Sequence, residues 1–93
     1  MAQRTVIVAS ASGLHARPAK LFVQAAARLG VPVTVRLGEK AVPAKSMLGV
    51  LSLGAVHGTE VTLEADGPGA DEALDSLVAL LSRDLDAEEA LDA

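Results

Sequence analysis

The sequence predicts an α+β fold in which a four-stranded antiparallel sheet carries three helices on one face. Strand-like and helix-like patterns follow one another in the order β-α-β-β-α-β-α. The two central strands are separated only by Gly38 to Lys40, which is the length of a hairpin turn, so they should pair antiparallel. An antiparallel sheet with its helices packed on one face accommodates this order as a two-layer domain.

The first strand and the first helix surround a loop of small residues. Thr5 to Ala9 is short, β-branched and apolar, as expected of a strand. Apolar residues then recur at helical spacing and predict a helix from about Ala16 to Leu29. Gly30 should end this helix and Pro32 prevents its continuation. The face of the helix that we expect to meet water carries Lys20, Gln24 and Arg28.

Two short strands follow the first helix. Val33 to Leu37 alternates apolar and polar residues, which predicts a half-buried strand. Ala41 to Ala44 is a second short strand, and Pro43 places it at the edge of the sheet or at its own end, because proline cannot donate to a strand ladder.

The second half of the chain should supply two helices and one strand. Ser46 is suited to cap the start of a short, strongly apolar helix that ends at Gly54. Thr59 to Ala65 alternates again as a strand. Asp71 and Glu72 fit the first turn of the last helix, where acidic residues are favourable. The predicted buried stripe of that helix contains Ala73 or Leu74, Leu77, Val78, Leu81 and Leu85.

Length and composition indicate one small domain spanning residues 1–93. The chain has one Phe, no Trp, no Tyr and no Cys, so aliphatic residues must build the core and disulfides are excluded. Its start lacks the apolar run of a signal peptide, and no stretch approaches the ~20 apolar residues of a membrane span. We therefore expect a cytoplasmic protein with no membrane insertion.

Charge is distributed unevenly along the chain. The net charge is −4, but residues 1–50 carry seven Lys or Arg and a single Glu, while residues 51–93 carry eleven Asp or Glu and a single Arg. Residues 86–93 form an acidic C-terminal tail. The basic half should attract acidic partners and phosphate. Nucleic acid is a poor partner for a chain that is acidic overall and offers no aromatic stacking platform.

The stretch Gly13-Leu14-His15-Ala16-Arg17-Pro18-Ala19-Lys20 brings a titratable nucleophile, a cation and a helix-start signal together. Pro18 suits the first turn of a helix, so His15 should lie exposed just ahead of it. Ser12 and Gly13 should form a turn before it, with Gly13 allowing the tight approach to the helix start. Free backbone N–H groups at a helix start hold anions, and the guanidinium of Arg17 matches phosphate oxygens. The Arg17 side chain should be solvated, because the apolar face of the helix begins at Ala19. A phosphoryl acceptor fits these residues, and so does a solvated histidine in front of an ordinary cationic helix start.

The segment GLHARPA closely resembles the active-site signature of the HPr family, the histidine-containing phosphocarriers of the bacterial sugar phosphotransferase system. A second block, Lys45 to Gly54, resembles the family's signature around a regulatory serine, and the spacing between the two blocks also agrees. The resemblance runs from Thr5 to about Asp84. It implies the open-faced β-sandwich fold, with Nδ1 of His15 as the phosphorylated atom and Arg17 stabilising the phosphate.

The resemblance also implies partners and regulation. The protein would accept its phosphoryl group from enzyme I, pass it to enzyme IIA components of sugar permeases, and act as a monomeric carrier that is a substrate rather than an enzyme. Ser46 matches a serine that a dedicated kinase modifies in some HPr proteins, and transcriptional regulators are further possible partners. The expected partner-binding residues are Lys20, Lys45, Met47, Leu48 and Leu51, with Met47 and Leu48 the more exposed. No cofactor and no metal is implied.

Two other functions compete with the carrier. A silent regulatory or ligand-binding module of the same fold is one, although His15 is present and favours the carrier. A histidine phosphatase or mutase is disfavoured, because it needs a cage of cations and an acid–base carboxylate. A zinc site of His15 and His57 lacks sufficient ligands, so His57 is interpreted as a solvated turn residue.

Overall fold

The computed structural model of the chain describes residues 2–10 and 13–83. It confirms the predicted order of seven elements. In chain order they are β1 (Ala2–Ile7), α1 (Ala16–Arg28), β2 (Val33–Leu37), β3 (Lys40–Pro43), α2 (Met47–Ser52), β4 (Glu60–Ala65) and α3 (Ala70–Leu81).

The four strands form one antiparallel sheet in the order β1-β4-β2-β3. Strand β4 lies in the interior and pairs with β1 from Ala2 opposite Ala65 to Ile7 opposite Glu60. On its other side β4 pairs with β2, and β2 continues through a hairpin into β3. Pro43 ends β3 at the edge of the sheet, as predicted, so its missing N–H interrupts no interior ladder.

Most boundaries agree with the sequence to within one or two residues. The exceptions are the end of α3, which lies at Leu81 although the predicted stripe extends to Leu85, and β1. The sequence predicts Thr5 to Ala9, but the strand runs from Ala2 to Ile7. Pairing with β4 decides this, because the antiparallel register extends the ladder back to the partner of Ala65. Composition alone does not predict it, since Gln3 and Arg4 lie in the strand despite their polar side chains.

The core lies between the helices and one face of the sheet. In β4 the predicted alternation is confirmed, with Val61, Leu63 and Ala65 buried and Thr62 and Glu64 only half-buried. The buried residues of α3 are Ala70, Ala73, Leu74, Leu77 and Leu81, while Val78 is half-buried. Leu85 and the tail 86–93 lie outside the described residues.

The opposite face of the sheet is polar. Gln3 Nε2 donates to Glu64 Oε2 at 2.9 Å, and Arg36 forms an ion pair with Glu64 at 3.1 Å. By contrast, on the face that carries the helices, Arg4 of β1 reaches Asp71 and Asp75 of α3 at 3.1 Å each, and these hydrogen bonds raise the pKa of Arg4 above its usual value. Exposed ion pairs contribute little stability, so packing holds α3 in place.

Candidate functional site

His15 is the N-cap of α1 and is exposed, as the sequence predicts. Its backbone is extended (φ −145°, ψ 156°), so the chain enters the helix directly after it. Within the described part of the chain its imidazole makes no capping hydrogen bond. The imidazole therefore lies at the start of α1 but does not cap the helix.

The backbone before His15 is fixed against the loop that precedes β4. Leu14 N–H donates to the carbonyl of Ala55 at 2.9 Å, and Leu14 itself is buried. Gly13 has a φ of +72°, and a side chain there would bring its Cβ within 2.6 Å of Val56 Cα. Only glycine permits this approach, which confirms the close entry predicted at Gly13. Ser12, predicted to share that turn, lies outside the described residues.

The first turn of α1 offers backbone donors next to the imidazole. The first N–H groups of a helix have no partner within the helix. Here Ala16 and Arg17 carry such groups, whereas Pro18 has none. A phosphoryl group on His15 would meet these two donors together with the positive end of the dipole of a 13-residue helix.

Arg17 corrects one expectation, because its side chain is half-buried rather than solvated and its Nε is buried. Side chains on a helix point back toward its N-terminus. Arg17 is the second residue of α1, two positions after His15. The charge therefore stays close to the site, and Arg17 contributes to packing as well.

The predicted cations lie along the whole length of α1. Lys20 is exposed three residues after Arg17, on the same helix face. Lys45 instead borders a shallow cavity of about 400 Å³ together with Ala26, Ala27 and Gly30, at the far end of the helix. A rise of 1.5 Å per residue places that end roughly 16 Å from the start of α1. Lys45 therefore borders the opposite end of α1 from His15.

Helix α2 is closed at both ends by side chains. Ser46 is its N-cap, as predicted, and its Oγ accepts a hydrogen bond from Gly49 N–H at 3.1 Å. At the other end Lys40 Nζ donates to the carbonyl of Ser52 at 2.8 Å. These caps satisfy backbone groups that a six-residue helix otherwise leaves open.

Apolar side chains remain exposed on and after α2. Leu48 is 83% exposed, which confirms the prediction, whereas Met47 is half-buried against the core and is less exposed than expected. Leu51 is also half-buried. The sequence reasoning missed Val56, which is 62% exposed and whose backbone packs on Gly13. The available signal was an aliphatic residue in a turn between two glycines.

His57 is exposed in the turn after Val56, as the sequence predicts. Within residues 2–10 and 13–83 there is no group of three His, Cys, Asp or Glu that could hold a metal ion.

Comparison with known proteins shows which family has this fold and this His15 site. The family model described as "PTS HPr component phosphorylation site" matches residues 2–83, which include His15 and both blocks of the sequence signature. The chain belongs to the HPr family. HPr proteins are the phosphocarriers of the sugar phosphotransferase system, so the fold and family expected from the sequence are confirmed.

Individual relatives support the same family assignment. Phosphocarrier protein HPr of Streptomyces coelicolor is 49% identical over 87 residues, covering 92% of this chain and 94% of the relative. The crystal structure of HPr from Bacillus anthracis superposes with a TM-score of 0.83 at 40% identity, covering 86% of this chain and 95% of that one. Crh of Bacillus subtilis, a catabolite repression protein whose crystal structure is a domain-swapped dimer, gives 0.68 at 47% identity, covering 87% and 93%.

In the part of the chain that the structure describes, each helix is too short or too polar to cross a lipid bilayer.

Proposed function

We propose that this HPr family member accepts a phosphoryl group on His15 from phosphorylated enzyme I and passes it to enzyme IIA components of sugar permeases. The observation that carries this proposal is an exposed imidazole at the N-cap of α1, beside backbone donors and held by a fixed loop. The protein acts as a substrate of these transfers and needs no cofactor or metal of its own.

The transfer makes one bond and breaks one bond. The lone pair on Nδ1 of neutral His15 forms the new N–P bond while the bond between phosphorus and the donor breaks, and the reverse step delivers the group to the acceptor. The N–H groups of Ala16 and Arg17 donate hydrogen bonds to the phosphoryl oxygens, and the Arg17 guanidinium balances the charge of these oxygens. These donors are already oriented in the free protein, so little reorganisation accompanies transfer.

Docking uses the apolar and cationic surface next to this site. Leu48 supplies the most exposed apolar side chain, and Met47 and Leu51 flank it on the same short helix. Val56 extends the apolar surface toward the loop that carries His15. Arg17 and Lys20 add positive charge beside the site, and Lys45 adds it at the far end of α1, so that the surface guides an acidic partner.

Ser46 regulates docking where an HPr kinase is present, and the modified form also meets transcriptional regulators. A phosphate on Ser46 adds a charge of about −2 at a helix start, which is locally favourable, yet it lies two residues from Leu48. Ser46→Asp should therefore keep the melting temperature while phosphoryl acceptance slows. Thermal unfolding and transfer rates measured side by side check this, and a large drop in melting temperature with normal acceptance contradicts it.

The cytoplasm is the proposed location, and the proposed state is a monomeric domain. The domain-swapped dimer of Crh is the competing state. Light scattering after size exclusion distinguishes the two, because a dimer doubles the measured mass.

The decisive experiment is phosphorylation with enzyme I and phosphoenolpyruvate. Mass spectrometry should show a gain of one phosphate that survives base and is lost in acid, as expected of a phosphoramidate. His15→Ala should abolish the gain, and His57→Ala, which removes the other exposed histidine, should leave it intact. Full labelling of His15→Ala contradicts the proposal. A wild-type protein that is never labelled favours the regulatory module instead, a role for which Crh is the precedent.

A further inference from the structure

The carbonyl that holds the residue before His15 belongs to a peptide unit that is hydrogen-bonded on both sides. Leu14 N–H donates to the carbonyl of Ala55 at 2.9 Å, and Ala55 is buried. The N–H of the same peptide unit, that of Val56, donates to Oγ1 of Thr59 at 3.1 Å. A peptide unit is planar and trans, so its carbonyl and its N–H point in opposite directions. A rotation that breaks the bond to Thr59 therefore turns the Ala55 carbonyl away from Leu14.

Thr59 presents its hydroxyl from a backbone that is itself fixed. Its carbonyl accepts from Val8 N–H at 2.9 Å, and the carbonyl of Val8 accepts from Gly58 N–H at 2.9 Å. Val8 is buried in the core, so this end of the turn is anchored to the strand side of the molecule. Thr59 N–H also donates to the carbonyl of Val56 at 3.0 Å, so residues 56 and 59 are joined by two hydrogen bonds.

We propose that Thr59 is a positioning residue for phosphoryl transfer to His15. It acts through the Ala55–Val56 peptide unit, whose carbonyl anchors the N–H of Leu14. Its hydroxyl keeps the loop before His15 bonded to its neighbour and so holds the imidazole at the start of α1. The inference rests on the proposed function for its effect on transfer, whereas the effect on the loop is independent of that function.

The hydroxyl group, rather than the size of the side chain, carries this role. Thr59 is half-buried, and valine has the same branching at Cβ, so Thr59→Val removes the acceptor for Val56 N–H and little else. Thr59→Ser keeps the hydroxyl and loses only a methyl group. The loss of one hydrogen bond and the resulting displacement of the reacting group should slow transfer about three- to tenfold.

The first test separates the rate of transfer from the affinity for the partner. Single-turnover transfer from saturating phosphorylated enzyme I should be about three- to tenfold slower in Thr59→Val, with most of the rate restored in Thr59→Ser. The affinity for enzyme I, measured by calorimetric titration, should not change. Thr62→Val makes the same replacement at a half-buried threonine within β4 and should leave both quantities unchanged. An unchanged saturating rate in Thr59→Val overturns the inference, and so does an equal loss in Thr59→Ser.

Amide hydrogen exchange provides a readout that does not need phosphoryl transfer. The amides of Leu14 and Val56 should exchange about three- to tenfold faster in Thr59→Val, because both hydrogen bonds of the shared peptide unit open more often. The amide of Leu63, in the interior strand β4, should change less, since it reports global unfolding. Equal acceleration at all three amides indicates a general loss of stability and overturns the inference, as does unchanged exchange at Leu14. If the wild-type protein accepts no phosphoryl group, the proposed function fails, and these exchange rates still decide whether Thr59 holds the loop.

Discussion

Helices α1 and α2 start in the same backbone geometry but use their N-caps in opposite ways. His15 and Ser46 are both N-caps with extended backbone. Ser46 caps α2, because its Oγ accepts a hydrogen bond from the N–H of Gly49. Within the described residues, the imidazole of His15 makes no such capping hydrogen bond. The uncapped start of α1 leaves backbone donors for the phosphoryl group that we propose on His15, whereas the cap at Ser46 stabilises the helix that carries the proposed docking surface.

The two helices can differ in this way because they are stabilised differently. Helix α1 has 13 residues and buries Ala19, Phe22 and Ala26 in the core, so packing holds it without a side-chain cap. Helix α2 has six residues, of which only Val50 is fully buried, and it depends on Ser46 and Lys40 to satisfy its ends. Short helices are marginal without such help.

Preventing the close approach of Gly13 to Val56 should have the largest effect on stability. Gly13→Ala combines a left-handed φ with a Cβ that collides with Val56, so we expect a loss of roughly 2–5 kcal/mol in the free energy of unfolding. Gly38→Ala is the control, since its φ is +62° but no described atom lies within 4 Å of the added Cβ. Urea unfolding gives the free energy of unfolding of both variants. The loss in Gly38→Ala measures the backbone strain alone, and the additional loss in Gly13→Ala measures the collision with Val56. Equal losses in the two variants contradict the proposed close contact.

Arg17 should matter more for transfer than for folding. Arg17→Ala should slow single-turnover transfer by about 2–4 kcal/mol in activation free energy, by analogy with other oriented donors. Because Nε is buried, we also expect a stability loss of about 1 kcal/mol, which thermal unfolding measures. Arg17→Lys should recover part of the rate, since it keeps the charge and loses the planar fork. If the transfer rate falls only as far as the loss of folded protein explains, Arg17 takes no part in phosphoryl transfer.

The apolar surface of α2 can be tested without disturbing the core. Leu48→Ser should weaken enzyme I binding by about 1–3 kcal/mol and change stability by less than about 0.5 kcal/mol, because Leu48 is 83% exposed. Calorimetric titration measures the affinity. Ile7→Ser is the matched control, an exposed aliphatic residue on β1 that should leave binding unchanged. Equal weakening by both changes argues against a localised surface.

The smallest effects test the comparison of the two N-caps directly. Ser46→Ala should cost about 1 kcal/mol of stability, because it removes the hydrogen bond to Gly49. His15→Asn should instead add roughly 0.5–1 kcal/mol while abolishing phosphoryl acceptance, because asparagine is a strong capping residue. Chemical denaturation resolves both. A destabilised His15→Asn variant means that the histidine already supports its helix.

Local sequence was sufficient for the features that depend on neighbouring residues. The helix and strand periods, the cap at Ser46 and the exposed position of His15 were predicted because each follows from spacing or from residues within one turn. The two signature blocks identified the family, whose model matches residues 2–83. The roles of His15, Arg17 and Ser46 in transfer and regulation remain predictions from that resemblance.

Only the tertiary structure decided which distant segments meet. The extension of β1 back to Ala2 follows from pairing with β4, and the need for glycine at position 13 follows from Val56, more than forty residues away. The half-buried side chain of Arg17 and the position of Lys45 at the far end of α1 follow in the same way. The proximity of Arg83 to the His15 loop depends on how α3 packs across β1. Sequence periodicity describes one element at a time, whereas these features arise where two elements pack together.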